Sequence, residues 1–209
     1  MVAAALAIRL KEKGHSVGLL DLDFTSPSSH VILGIEGLYP EEEYGIIPPL
    51  AHGLRYMSIT YYSQDEPAPL RGADTSNAII EILAVTLWGN LDYLIVDMPP
   101  GIGDATLDMI RLIKRILFLV VSTPSKVAYE TVRKQIKLLH ELDISTIGVV
   151  ENMVMKPTTY VSERAGEDNT AYLGAINYDP TLEDALGCVE LLKKTEFYGS
   201  IMELAEKIG

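Results

Sequence analysis

The stretch Leu91-Asp92-Tyr93-Leu94-Ile95-Val96-Asp97-Met98-Pro99-Pro100-Gly101-Ile102-Gly103-Asp104 constrains this chain more than any other. Tyr93 to Val96 is apolar without polar relief, which predicts a strand buried on both faces. The run ends in a carboxylate, Asp97, and then in Pro-Pro-Gly-x-Gly, which continues neither a strand nor a helix. A carboxylate at the carboxyl end of a parallel strand, followed by a glycine loop, is where α/β proteins place magnesium and phosphate. Glycine lets backbone N–H groups approach an anion closely. The plainer alternative is a buried strand that ends in an ordinary turn.

The surrounding sequence supplies the alternation such a strand needs. Met1 to Lys13 predicts a helix stopped at Gly14, with Val2, Ala5, Leu6, Ile8 and Leu10 as its buried residues. Val17 to Leu20 predicts a strand ending in Asp21-Leu22-Asp23. From Thr25 to about Gly53 the Ser, Pro, Gly and Glu content predicts a long connection with a solvated tip at Pro40-Glu41-Glu42-Glu43. A strand is expected over Leu54 to Tyr62, an irregular stretch over Pro67 to Gly72, and a helix over Thr75 to Trp88. Beyond the glycine loop, helices are expected over Ala105 to Ile113 and Ala128 to Leu142. Strands are expected over Ile116 to Ser122, Ile144 to Val150 and Tyr172 to Ile176. Lys156 to Asn169 reads as a polar, mobile segment, and two last helical segments contain Leu191 and Leu204. Strands alternating with helices predict a three-layer, doubly wound, mostly parallel sheet, and 209 residues suit one domain spanning the chain.

The first helix is unusual in having no strand before it, because a crossover helix normally has a strand on both sides. The expectation is therefore that a strand and its loop belong before Met1, through a mis-assigned start or a trimmed sequence. A phosphate-cradling G-x-x-x-x-G-K-[ST] does not occur in the 209 residues.

Charge narrows the partners. With 17 Lys and Arg against 29 Asp and Glu the formal charge is −12, which argues against nonspecific binding to nucleic acid or an anionic membrane. Local anion binding stays open, since helix N-termini and backbone amides supply a positive field. One cysteine, Cys188, leaves no pair for an intramolecular disulfide or a multi-cysteine metal site; a small buried apolar role is expected for it. With no long apolar run and no signal-peptide layout, the expectation is a cytoplasmic protein.

In a parallel sheet the strand ends at Asp21 and Asp23, Asp97 and Asn152 fall on one edge, the ligand edge of a doubly wound fold. Three carboxylates with nearby glycines suit a magnesium nucleotide, because carboxylates favour that hard cation, often through water. Simpler roles compete: Asp23 and Asp97 as helix N-caps, Asn152 as a turn residue, and Asp104 as the cap of the helix it precedes.

Taken together, several motifs carry a resemblance. These are Gly18-Leu-Leu-Asp-Leu-Asp23, Ser26-Pro27-Ser28, Leu33-Gly34, Trp88-Gly-Asn-Leu-Asp-Tyr-Leu-Ile-Val-Asp97, Pro99-Pro-Gly-Ile-Gly-Asp104, Thr123-Pro124 and Gly148-Val-Val-Glu-Asn-Met153. The chain resembles the Mrp-type ATPases, the ATP-binding iron–sulfur carrier proteins of the MinD/ParA group of deviant P-loop ATPases. The resemblance covers nearly the whole chain and is weakest after Lys156. In such proteins the first helix follows a glycine-rich loop ending in Gly-Lys-Ser, and Met1 stands just after the place of that Ser.

The resemblance implies roles residue by residue. Asp97 would be the Walker B carboxylate holding magnesium through water, with Asp21 supporting the metal shell. Asp23 would lie in the first switch and orient the attacking water. Gly101 and Gly103 would form the second switch and sense the γ-phosphate. Asn152 would hydrogen-bond the adenine edge, and Asp179 and Pro180 would belong to a loop passing the base. The implied cofactors are ATP and Mg2+, the implied assembly a homodimer, and the implied partner an iron–sulfur or other client protein. The chain departs from the family after Glu151-Asn152-Met153, where Val154 to Tyr160 lacks the cysteine pair many carriers use to bridge a cluster. A MinD/ParA-type positioning ATPase fits that departure, and a third reading, from the missing phosphate loop, is a non-catalytic binding module that folds only against a partner. A membrane is not an expected partner, since the C-terminal segment is acidic on balance, and the net charge of −12 argues likewise against nucleic acid.

Overall fold

The structure is a computed structural model, and it describes residues 1–63 and 73–208. The irregular stretch expected over Pro67 to Gly72 lies outside the described residues. Two compact units emerge, Met1–Leu112 with Ala185–Leu191, and Ile113–Asp184 with Leu192–Gly209.

In the first unit, α1 (Val2–Glu12) buries Ala4, Ala5, Leu6, Ala7, Ile8 and Leu10. Small alanines allow this helix to lie close against β1 (Val17–Asp21), every residue of which is buried. The long connection expected after it contains structure: α2 (Ser29–Leu33), β2 (Glu41–Glu42), β3 (Ile46–Ile47) and β4 (Leu50–Ala51). The acidic tip is exposed as expected, but it pairs antiparallel with Ile46–Ile47 as a short hairpin. Next come β5 (Leu54–Ser58), α3 (Thr60–Ser63), α4 (Ala73–Val85), β6 (Tyr93–Asp97) and α5 (Asp104–Leu112).

β5 stops at Ser58, short of the expected Tyr62, and the chain turns into α3. α4 stops at Val85, short of Trp88, because the next residues join β3 instead. Thr86 bridges Ile46, and the Leu87 N–H donates to the Ile46 carbonyl.

These strands form a sheet in the order β4-β5-β1-β6, parallel except for β4. The expectation that β6 is buried on both faces is corrected: all five of its residues are half-exposed. β6 is the edge strand of this sheet and pairs with β1 alone among the described residues. Gly18, the second residue of β1, is a close-packing position. A Cβ there would lie 2.7 Å from Leu91 Cδ1 and 3.0 Å from Leu94 Cδ1.

The second unit holds β7 (Phe118–Ser122), α6 (Lys126–Glu141), β8 (Thr146–Val154), α7 (Tyr160–Glu167) and β9 (Tyr172–Asn177). Then follow α8 (Leu182–Ala185), α9 (Val189–Leu192) and α10 (Glu196–Ile208). Its sheet runs β7-β8-β9, all parallel. α6 is capped by Ser125, whose Oγ accepts from the Ala128 N–H, and it packs on β7, while α10 packs on β9.

Two further expectations are corrected here. Lys156 to Asn169 contains α7, whose Val161 and Ala165 are buried one helical turn apart. Tyr160 also anchors it, edge-on to Tyr129, with Lys126 and Arg164 over its ring. Cys188 is exposed, because it lies in the turn between α8 and α9. The mostly parallel α/β fold is present, its strands divided among a four-stranded sheet, a three-stranded sheet and the two-stranded β2–β3 hairpin.

Candidate nucleotide site

In the first unit the site grows from the carboxyl ends of two neighbouring parallel strands. Asp21 ends β1 and Asp97 ends β6, and the two are partners in register. The backbone carbonyl of Asp97 also accepts from the Leu22 N–H, which continues the ladder past both carboxylates.

The two side chains have different environments. Asp21 is 1% exposed and fully engaged. Its Oδ1 accepts from the Asp23 N–H, and its Oδ2 accepts from both the N–H and the hydroxyl of Ser29. Asp97 is partly open, with 27% of its side chain exposed. Burial pushes its carboxyl above the usual range, the Met1 ammonium 3.6 Å away opposes that, and the charges of Asp21 and Asp23 add to it. An unsaturated, poorly solvated carboxylate at a strand end gains from a cation beside it. Asp21 has no free oxygen to offer.

Asp23 lies in the loop after β1. Its Oδ1 accepts from the N–H and hydroxyl of Thr25 and from the Ser26 N–H, so it organises its own turn. It is not a helix cap, because α2 begins later, after Ser28.

Beyond Asp97 the glycine loop is open. Gly101 has a φ of 84°, a region that favours glycine, and a Cβ on Gly101 or Gly103 would meet nothing within 4 Å among the described residues. The Gly103 carbonyl accepts from the N–H groups of Thr106 and Leu107, so the loop leads directly into α5, with Asp104 as its first residue. The combination of a strand-end carboxylate, a glycine loop and a helix N-terminus can hold a hydrated divalent cation beside an anion.

The remaining expected residues belong to the second unit. Asn152 lies within β8, which runs to Val154 and not to the expected Val150. A register shift between Glu151 and Val154, with Met153 at a φ of 61°, follows it, and its Oδ1 accepts from the Met153 N–H. Asp179 ties two segments together. Its Oδ1 accepts from the N–H and hydroxyl of Thr181, while Oδ2 accepts from the Phe197 N–H in the first turn of α10. Those bonds hold its carboxyl below the usual range. Pro180 is exposed beside it.

Among the described residues, no group of three or more His, Cys, Asp or Glu is placed to hold a metal ion. Magnesium often takes one or two carboxylates, completing its shell with water and phosphate oxygens, and Asp97 fits that role. No helix among the described residues is long and apolar enough to cross a membrane.

Sequence reasoning missed Ser29 and Tyr56. The Ser29 hydroxyl lies 3.0 Å from the Tyr56 hydroxyl, and both residues are buried. The available signal was Tyr56 on the inward face of a strand, where its hydroxyl needs a partner.

Comparison with known proteins places this geometry. The sequence model of the ParA family described as "NUBPL iron-transfer P-loop NTPase" matches residues 1–201. The iron-sulfur cluster carrier protein of Aquifex aeolicus is 35% identical over 199 residues, which cover 88% of this chain and 55% of that protein. Its Escherichia coli K12 counterpart is 38% identical over 154 residues, covering 72% and 42% respectively. The chain thus spans about half the length of the curated relatives it matches. Among solved structures, a nucleotide-binding protein from Archaeoglobus fulgidus in complex with ADP superposes with a TM-score of 0.75 and 29% identity, over 92% of this chain and 81% of that one. The septum site-determining protein MinD from Pyrococcus horikoshii, complexed with Mg-ADP, shares the fold at a TM-score of 0.71 and 18% identity, over 99% and 88%. A strand-end aspartate pair, an open glycine loop and a match along nearly all of its length lead to one conclusion: this chain belongs to the ParA/NUBPL family of iron-transfer P-loop NTPases.

Proposed function

We propose that this protein binds Mg2+ and ATP at the β1–β6 strand ends and hydrolyses ATP slowly to drive a conformational or dimer cycle. The observation that carries this reading is Asp97, half-exposed and destabilised by burial, between the fully engaged Asp21 and the open Gly101–Gly103 loop.

When bound, magnesium supplies charge neutralisation at the phosphates. Asp97 holds the ion through water. Asp21, saturated by Ser29 and Asp23, acts on the metal shell only by fixing the Asp23 loop. The second oxygen of Asp23 is left to orient a water molecule, since Oδ1 serves the loop. Gly101 and Gly103 offer N–H groups to a terminal phosphate. Asn152, Asp179 and Pro180 are proposed as the base-binding residues of the same domain, a reading supported by a family match that runs continuously through both units. The protein is proposed to act in the cytoplasm as a homodimer that meets a client protein.

The relatives are named iron-sulfur cluster carriers, but the 209 residues here contain one cysteine, Cys188. Clusters are commonly held by four thiolates, so a cargo cluster would need ligands from outside these 209 residues. That single cysteine favours, as a second reading, a positioning ATPase of the MinD/ParA type.

The test uses protein purified from its own source and weighed intact against 23.0 kDa. Melting temperature and phosphate release are measured with and without Mg-ATP. A nucleotide-dependent rise in melting temperature, with Mg2+-dependent turnover lost in Asp97→Asn, supports the reading. No rise and no turnover in the unaltered protein would reject it.

A further inference from the structure

Behind the Asp23 loop lies a buried relay whose outer members, Tyr56 and Ser29, the catalytic roles do not use. Tyr56 is on β5, Ser29 opens α2, and Asp21 ends β1, all within the first unit. All three side chains are almost sealed from water, at 1%, 0% and 1% exposure. The donors have one consistent order. The Ser29 hydroxyl gives its single proton to Asp21 Oδ2, at 2.5 Å, so the Tyr56 hydroxyl, 3.0 Å from Ser29 Oγ, must donate to serine. Asp21 Oδ1 then accepts from the backbone N–H of Asp23, at 3.1 Å.

We propose that Tyr56 and Ser29 are positioning residues, which orient the Asp21 carboxylate so that it fixes the backbone of Asp23. The physical reason is charge placement. A buried carboxylate is tolerated only when its lone pairs are met by donors, and here the donors are the Asp23 N–H and the N–H and hydroxyl of Ser29. Each one removes a rotamer the carboxylate could otherwise take, so the Asp23 N–H has one place to bond. Removing the tyrosine hydroxyl, which is also hydrogen-bonded to Ser58, loosens the chain of bonds without touching the reacting groups. Tyr61 is a built-in control. Its ring stands edge-on to Tyr56, with centroids 6.0 Å apart, so the two tyrosines meet through their rings.

The proposal rests on the ATPase reading only for its catalytic consequence; the positioning itself is read without catalysis. Residue-resolved amide exchange is measured on the full chain for Tyr56→Phe, Ser29→Ala, the double variant and Tyr61→Phe. Expected is a threefold or greater rise in exchange at the Asp23 and Ser29 amides in Tyr56→Phe, with Leu19 and Leu20 in β1 unchanged. Tyr61→Phe should leave all four unchanged. The double variant should exceed Ser29→Ala by no more than error, since tyrosine acts through serine. In turnover, Tyr56→Phe should lower kcat at least fivefold with KM for ATP unchanged. Exchange at Asp23 equal to the unaltered protein overturns the proposal, and so does a uniform rise that includes Leu19 and Leu20. If the unaltered protein turns over no ATP while Tyr56→Phe still frees the Asp23 amide, the relay stands and the ATPase reading falls.

Discussion

Asp21 and Asp97 are partners on the last rung of the parallel β1–β6 ladder, one fully hydrogen-bonded and the other partly open. Burial first, and the charges of Asp21 and Asp23 next, raise the Asp97 carboxyl, against the opposing Met1 ammonium. A raised pKa in the folded state means that stability is fully present below the ordinary carboxylate range. It is lost as pH rises through the folded-state value. Asp97→Asn removes that loss. Without divalent cations, the variant should therefore melt higher than the unaltered protein at pH 7, and the difference should shrink as pH falls towards 4. Thermal melts across that range check it; a variant that melts lower at pH 7 would show that the charge is not strained.

Gly34 and Gly187 make a prediction about packing. Gly34 caps α2 at a φ of 63°, and a Cβ on it would fall 2.1 Å from the Gly187 carbonyl oxygen. That carbonyl is held in place, because the Gly187 N–H donates to Ile32 O. Gly37 has nearly the same φ, 65°, with nothing within 4 Å of its Cβ position. Gly37→Ala should thus show the backbone cost alone, about 1–2 kcal/mol. Gly34→Ala should cost clearly more, on the order of 3–4 kcal/mol with the backbone clash added. Urea unfolding of both variants separates the two contributions. Equal losses would mean that the segment around Gly187 gives way freely.

The strand that carries Asp97 was legible because an apolar run, an aspartate and paired glycines leave few foldings open. Its burial was not, since periodicity reports which residues are apolar and not whether a strand has a neighbour on both sides; β6 has one among the described residues. The helix α7 was hidden by a polar composition, and it forms because Val161, Ala165 and Tyr160 supply one narrow packed face. Ser29 was obscured by the Ser-Pro run before it, which reads as loop. Its partner Asp21 is eight residues away, a separation at which no local rule pairs side chains. Asp179 was singled out through resemblance alone, while its bonds to Thr181 and Phe197 depend on where α10 begins.

Glu151 offers a second pH experiment, in the other unit. It is buried in the middle strand of the three-stranded sheet, and its Oε1 meets no hydrogen-bond donor among the described residues. Burial raises its carboxyl, while the hydroxyl of Tyr172, donating to Oε2, partly opposes that. In return, burial and the bond to Glu151 push the Tyr172 phenol up to about 12. The sign is as for Asp97: stability held at low pH is lost as pH rises through the raised value. Glu151→Gln, nearly isosteric and uncharged, should melt higher than the unaltered protein at pH 7 and the same as it near pH 4. A difference that persists unchanged at pH 4 would point to packing and not to charge.

Asp179 separates a structural role from a ligand role. Its carboxylate accepts from Thr181 twice and from Phe197 once, which joins the loop after β9 to the first turn of α10. The negative charge also lies at the positive end of that helix. Because these bonds lower its pKa, the stability it contributes is present above the ordinary carboxylate range and is lost as pH falls through the folded-state value. Asp179→Ala should therefore lower the melting temperature in the absence of any nucleotide, and the loss should fade under acid conditions. Asp179→Asn keeps one accepting oxygen and should fall between the two. If Asp179 serves only to contact a base, both variants will melt as the unaltered protein does without nucleotide, and differ from it only when ATP is added.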